Sequence, residues 1–329
     1  MIWLTWQQHR KQALFAIIGL AVLAILLVPT GLQIHREFVD TGLAECLDTM
    51  SRAEFVENIP SDPVTGLPDC QRPAAQFNTL FDSYFQPVTF LIFLPLLLGL
   101  FFGAPLVARE VEHGTHRLVW TQGVSRRRWA LVKIGVVGIS ASAIAAAFAL
   151  LLTWWLTPIA LANAGRFDPW IFDMQGLAPV GYTCFAVALG ILAGTVWRRV
   201  LPAMAATLAG FLAFRLAATV WIRPHLQPVH ESRIPIADDK VYNFMRGDWI
   251  LDRDVYDSAG NLVVSNGDVS CGPPPEVCHP EWGPDAYNLL VYQPADRFWL
   301  FQYLETGLYV TLAAILIALA IWQIRRRIT

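Results

Sequence analysis

The sequence predicts an all-α polytopic membrane protein with six transmembrane helices, and two observations carry that prediction. Of 329 residues, 55% are hydrophobic and only 15% are charged, a balance that belongs to membranes rather than to water-soluble domains. Six stretches, near 13–32, 85–108, 130–156, 177–197, 201–221 and 299–324, each hold about 20 mostly apolar residues, enough to cross a hydrocarbon layer of ~30 Å.

Ahead of the first stretch, "WLTWQQHRKQ" at 3–12 alternates Trp3, Leu4 and Trp6 with Gln7, Gln8, His9, Arg10 and Lys11. That pattern suits a helix lying in the membrane interface. The first span lacks a small-residue cleavage pattern and is long enough to cross, so it reads as a retained helix rather than a signal peptide. In the second span Pro87, Pro95 and Pro105 predict bends. Gly99-x-x-x-Gly103 there, and Gly190-x-x-x-Gly194 in the fourth span, permit close helix approach, and packing inside one subunit is the expected use.

Orientation follows from Lys and Arg, which resist translocation when they flank a span. With both termini cytoplasmic, the inner segments hold Arg10, Lys11, Arg109, Arg117, Arg126, Arg127, Arg128, Lys133, Arg198, Arg199, Arg325, Arg326 and Arg327, but only Glu110 and Glu112 among the acids. Trp3, Trp6, Trp129, Trp197 and Trp322 then mark the inner interface, and Trp154, Trp155, Trp221 and Trp299 the outer one. The chain is expected in the plasma membrane as one transmembrane unit, with extracytoplasmic segments at 33–84 and 222–298, a smaller one near 157–176, and a cytoplasmic connection at 109–129.

Each large outer segment carries a Cys pair, Cys46 with Cys70 and Cys271 with Cys278. In an oxidising exterior, disulfides within each segment are the simplest assignment, although four Cys allow three connectivities. Cys184 falls inside the fourth span and reads as a small packing residue. In the second segment, "WILDRDVYDSAGNLVVSNG" at 249–267 predicts a β-hairpin turning at Ser258–Asn261. Small extracytoplasmic folds are thus expected on a helical body.

Catalytic chemistry is not legible. The chain has no Walker-type phosphate loop, no His-Glu-x-x-His run and no Cys-x-x-Cys pair. His113 and His116 share a helical spacing but lack carboxylate or thiol support for a metal. Inside the spans the ionisable residues that stand out are Arg215 and Glu305. Measured at ~1.5 Å per residue from Trp221 and Trp299, each lies at about 9 Å depth. Equal depth suggests an intramembrane pair joining the fifth and sixth helices, because a partner relieves the cost of an isolated charge in hydrocarbon; the other reading is that Arg215 snorkels to the outer headgroups and Glu305 faces water under the outer segment. Such a pair should tolerate exchange of its two charges.

"REVEHGTHRLVWTQGVSRRRWALVK", beginning at residue 109, concentrates basic residues between two apolar runs. The second helix should run through Glu112 and break at His113-Gly114. A short helix capped by Thr115 follows, stopping at Gly123, and Ser125 caps the next span. Arg117, Leu118, Val119 and Trp120 then present a cationic and apolar surface. Either lipid headgroups or a partner protein would cover it.

The same stretch resembles the loop between the second and third helices of ABC-2 type transporter permeases, in its Glu110 or Glu112, Gly114-Thr115, Ser125-Arg126 and Lys133. "WLTWQQHRKQ", and "YQPADRFWLFQYLETGLY" at 292–309 before a final helix ending in Arg-Arg-Arg, resemble the actinobacterial branch of that family. The resemblance implies an N-terminal elbow helix and a coupling helix in which Thr115, His116, Arg117, Leu118, Val119, Trp120 and Gln122 meet a separate ABC ATPase subunit. It also implies a second permease subunit and a lipid bilayer as partners, with no nucleic acid. ATP and Mg would sit on the ATPase, leaving no cofactor in this chain and translocase activity only in the assembly. The expected function is export of a hydrophobic or amphipathic drug, peptide or lipid. The alternative of another class is a non-transporting sensor or immunity protein that binds an extracellular ligand, and an adjacent or copurifying ATPase separates the two.

Overall fold

The computed structural model describes residues 2–50, 55–57, 70–114, 125–163, 165–236, 240–242, 247–269 and 279–327. Among these, six helical runs are long and apolar enough to cross a membrane: Ala13–Asp40, Pro87–Glu112, Arg126–Ala162, Ala178–Trp197, Val200–His225 and Ala295–Arg326. The protein is therefore a mostly helical, multi-pass membrane protein.

Helix α1, Ile2–Asp40, is continuous, so the amphipathic stretch 3–12 and the first span share one helix. After a turn at Gly42, whose φ of 72° suits glycine, comes α2, Leu43–Met50. Helix α3, Gln71–Thr89, leads into the second span. The described parts of segment 33–84 are thus largely helical, because buried Leu43, Leu47, Ala74 and Phe77 give α2 and α3 an apolar face. Cys46 and Cys70 stand there with Cα atoms 5.7 Å apart, a separation that fits disulfide geometry. Cys271 and Cys278 lie outside the described residues, as do Thr115 to Gln122 of the expected coupling helix.

The second span is irregular. A 3-10 turn at Phe90–Phe93 precedes α4, Leu94–Leu98, and a π-helical turn at Gly99–Gly103 precedes α5, Ala104–Glu112. Pro95 and Pro105 lack the N–H that a regular ladder would use, which is why the hydrogen bonding shifts register at these points. Helix α5 stops at His113 and Gly114, the latter with φ 70°.

Helix α6, Arg126–Ala162, starts where Ser125 Oγ accepts from the Arg128 amide at 3.3 Å. A short helix α7, Pro169–Met174, leads to α8, Ala178–Trp197. Then follow α9, Val200–Ala217, and α10, Phe298–Arg327. Helix α8 is the central staff, with 67% of its apolar window buried against 6% for α1. The two glycine pairs explain its closeness to the second span. A Cβ on Gly99 or Gly103 would lie 2.7 Å from Ala186 O or 2.5 Å from Val187 O, and one on Gly190 or Gly194 would lie 2.6 Å from Ala104 N or 2.7 Å from Ala104 O. Both motifs are spent on one seam within the chain. At the periphery α1 leans on α6, where Trp155 Nε1 donates to Thr30 Oγ1 at 3.0 Å.

Between α9 and α10 the chain builds a four-stranded antiparallel sheet. Strand β1 is Phe55–Glu57 in the first segment, followed by β2, His230–Pro235, β3, Lys240–Tyr242, β4, Trp249–Tyr256, β5, Leu262–Ser265, and β6, Tyr287–Gln293. The sheet order is β2-β6-β4-β5, and β1 pairs separately with β3. Stretch 249–267 forms the β4–β5 hairpin, with Gly260 at φ 83° and Asp257 Oδ1 accepting from the Asn261 amide at 2.7 Å. The Asn261 side chain and amide hold the Asp257 carboxyl below its ordinary pKa. Strand β6, which fills the centre of the sheet, extends the fold beyond that hairpin.

Candidate functional site: a buried ion cluster beneath the sheet

The site begins with α7. Asp168 caps it by accepting from the Trp170 and Ile171 amides at 3.0 and 3.3 Å, so that Asp173, one and a half turns on, points into the bundle. Gln302 of α10 fixes the junction that follows. Its Oε1 accepts from the amides of Leu177 and Ala178 at 3.0 and 2.8 Å, and its Nε2 donates to Phe172 O at 3.2 Å. One buried amide thus satisfies the N-terminal donors of α8 and a carbonyl of α7.

Beyond Ala217 a π-helical turn, Ala218–Ile222, and a 3-10 turn, Arg223–His225, prolong the fifth span. The wider turn carries Arg223 under the sheet, where 1% of it is exposed. Arg215 lies two turns earlier. On α10, Glu305 and Tyr309 are four residues apart and share one face. Tyr182 of α8 completes the group.

Glu305 Oε1 accepts from Arg215 Nη1 at 2.9 Å, Arg223 Nη2 at 2.9 Å and the Tyr182 hydroxyl at 2.7 Å, while its Oε2 accepts from Arg223 Nε at 2.7 Å. Asp173 Oδ1 takes Arg223 Nη2 at 2.5 Å, and its Oδ2 pairs with Arg215 Nη2. Arg215 Nη1 also donates to the Tyr309 hydroxyl at 3.3 Å. Aromatic faces complete the enclosure, with Arg215 Cζ 4.0 Å from the Tyr182 ring centroid and Arg223 Cζ 4.2 Å from that of Phe172. Two guanidiniums and two carboxylates give zero net charge, which is the condition for tolerating so many charges away from water.

The predicted residues Arg215 and Glu305 are in direct contact, but as half of a quartet rather than as an isolated pair. Sequence reasoning missed Asp173 and Arg223 because both fell in connections read as solvated. The available signals were the Asp168-Pro169 helix start and an Arg-Pro step just past Trp221.

The sheet is fastened to this region. Gly165 and Gly247 meet so closely that a Cβ on Gly165 would stand 2.5 Å from Gly247 O. Phe167 stacks on Trp249 of β4 at 5.7 Å and packs edge-on against Phe301 of α10 at 5.3 Å. Asp248 Oδ1 accepts from the Ala295 amide at 2.6 Å, just ahead of α10.

At the opposite ends of the helices the two acids near the arginine-rich connection have defined partners. Glu110 accepts from Lys133 Nζ of α6, and Glu112 Oε2 accepts from the Val200 amide, the start of α9, at 3.1 Å. Lys133 Nζ also lies 5.2 Å from the Trp129 ring centroid. The end of α5 is thereby tied to two further spans. Among the described residues no group of three or more His, Cys, Asp or Glu is placed to hold a metal ion.

Six candidate spans, the last three of them joined by a neutral ion cluster at one end of the bundle, define the chain as a polytopic membrane protein. Residues 17–223 match the ABC-2 membrane transporter related family, and the chain belongs to that family. The matched region covers five of the six candidate spans, including Asp173, Tyr182, Arg215 and Arg223, while Glu305 lies beyond it. Neither curated proteins nor solved structures give a match. Family and fold together make the chain a transporter permease of ABC-2 type, working in a bilayer.

Proposed function

We propose that this permease is the membrane-spanning subunit of an ATP-driven exporter of hydrophobic or amphipathic molecules, paired with a second permease subunit and with separate ATPase subunits. The family match over 17–223 carries the reading. Both termini and the arginine-rich connection face the cytoplasm of the plasma membrane in this scheme, and the sheet faces outward, in keeping with the distribution of Lys and Arg. In the outer oxidising space Cys46 and Cys70 form a disulfide, which their 5.7 Å Cα separation supports, and Cys271 pairs with Cys278.

Residues Thr115, His116, Arg117, Leu118, Val119, Trp120 and Gln122 dock on the ATPase. Movement there reaches the bundle through Glu110 and Glu112, whose bonds to Lys133 and the Val200 amide link the loop to α6 and α9. The ion cluster is the outer latch of the export path, joining α7, α8, α9 and α10. A neutral, largely buried cluster can exchange between closed and separated, wetted conditions, which is the behaviour a gate needs.

The test is coexpression with an ABC ATPase of the same genome, followed by purification and reconstitution in proteoliposomes. Copurification with ATP hydrolysis that rises with an amphipathic substrate, and that falls in Leu118→Glu, supports the reading. A permease that purifies alone and leaves the ATPase unstimulated overturns it.

A further inference from the structure

A groove of about 540 Å³ opens sideways between α1, the distorted second span and α6, lined by apolar residues that include Phe15, Gly19, Leu23, Leu98, Phe101 and Phe148. Its level is set by Ile144, another lining residue, midway between the ends of α6 at Arg126 and Ala162. That is the middle of the hydrocarbon layer, where a polar ligand would lose its water without compensation. Among the described residues nothing closes the mouth, since Phe15 is 72% exposed and Phe101 53%. The second-span wall is the irregular backbone from Phe90 to Gly103, and nothing lies within 4 Å of a Cβ built on Gly19.

We infer that this groove is a binding site for one acyl chain of a membrane lipid. Size selects that occupant: 540 Å³ is in the range of a small-ligand site, whereas a helix of a second copy is about 10–12 Å across with its side chains and covers such an opening without filling it. Chemistry agrees, because an all-apolar lining offers no hydrogen bond and rewards only hydrocarbon contact. A chain seated here is gripped on three sides, in contrast to lipid passing the convex faces at Ile139 or Leu216. The site does not depend on export or its direction.

The experiment places the intact protein in nanodiscs of phosphatidylcholine carrying a diazirine near the end of one acyl chain, irradiates, and maps adducts by peptide mass spectrometry. Adducts should concentrate on 15–23, 91–102 and 144–148, exceeding those at Leu216 by about tenfold, the ratio that ~1.4 kcal/mol of preference gives. Gly19→Phe should fill the groove and remove that excess, leaving the Leu216 signal unchanged, while Gly19→Ala should retain most of it. Equal labelling of groove and convex faces in the unaltered protein overturns the site. So does an excess of protein-to-protein cross-links through Phe101 when a benzoyl-phenylalanine replaces it. Should Gly19→Phe fail to fold, the unaltered distribution and Gly19→Ala still decide.

Discussion

Arg223 Nε donates to Glu305 Oε2 across 2.7 Å, joining the turn that ends the fifth span to the last helix over a separation of 82 residues. Arg223 touches both carboxylates of the cluster and is the more buried of the two cations, 1% exposed against 12% for Arg215. Removing it leaves two acids facing one guanidinium. Arg223→Ala should therefore lower stability by roughly 3–5 kcal/mol, the usual cost of orphaning a buried charge. Arg215→Ala should cost less, and thermal unfolding in detergent, monitored by tryptophan fluorescence, measures the order.

The quartet reverses an expectation that suits a lone pair. Arg215→Glu with Glu305→Arg would set the new glutamate against Asp173 and the new arginine against Arg223. Like charges at such range are unfavourable in a buried setting. The exchange should be no more stable than either single change, whereas Arg223→Met with Glu305→Met, which removes one charge of each sign, should recover part of the loss. Full rescue by the exchange would show that Asp173 and Arg223 do not belong to the cluster.

Gln302→Leu is isosteric enough to pack but cannot accept from the Leu177 and Ala178 amides. The buried Ala178 N–H would lose its partner at about 1–3 kcal/mol, and the partly buried Leu177 N–H would add less. Hydrogen exchange at the start of α8 should accelerate, with exchange in α1 unchanged. Equal protection at Ala178 in both proteins would sink the capping role.

At the other end, Lys133→Met removes the cation that meets Glu110, and the loss of this charged contact at a partly buried carboxylate should cost about 1–3 kcal/mol. Under the proposed coupling scheme the variant should also lose substrate-stimulated ATP hydrolysis, with Glu110→Gln repairing stability but not coupling. Stimulated hydrolysis at the unaltered level in Lys133→Met removes this link from the scheme.

Oxidation of Cys46 and Cys70 closes a loop across 24 residues, which stabilises by about 3 kcal/mol in the chain-entropy description. Nonreducing peptide mapping should recover the linked peptides, and Cys46→Ser should lower the unfolding temperature to the same extent as reduction. Free thiols at both positions in protein purified without reductant would rule the bond out.

How much of this was legible in the sequence varies with the physics involved. Span positions follow from local composition, and the helix breaks at His113-Gly114 and Ser125 follow from capping chemistry, so both are readable residue by residue. Arg215 and Glu305 could be matched because depth along a helix is simple arithmetic from an interfacial tryptophan. Arg223 defeats that arithmetic: it lies two residues past Trp221, where water is expected, and only a sheet folded from residues far ahead makes the place dry. Asp173 sits on a six-residue helix whose inward aim depends on Gln302, more than a hundred residues later. Strand β6 was hidden for the same reason, since its Tyr287–Gln293 stretch is a strand because β2 and β4 flank it.

The cluster also sets a timetable for biogenesis. Asp173, Arg215 and Arg223 leave the ribosome before Glu305, which follows Arg223 by 82 residues. At ~5–20 residues per second that is a delay of roughly 4–16 s, during which two guanidiniums have a single carboxylate between them. A nascent fifth span with excess positive charge at its far end is poorly committed to the bilayer. The cluster can therefore close only after the last helix has arrived, which makes that helix the step that completes this end of the bundle.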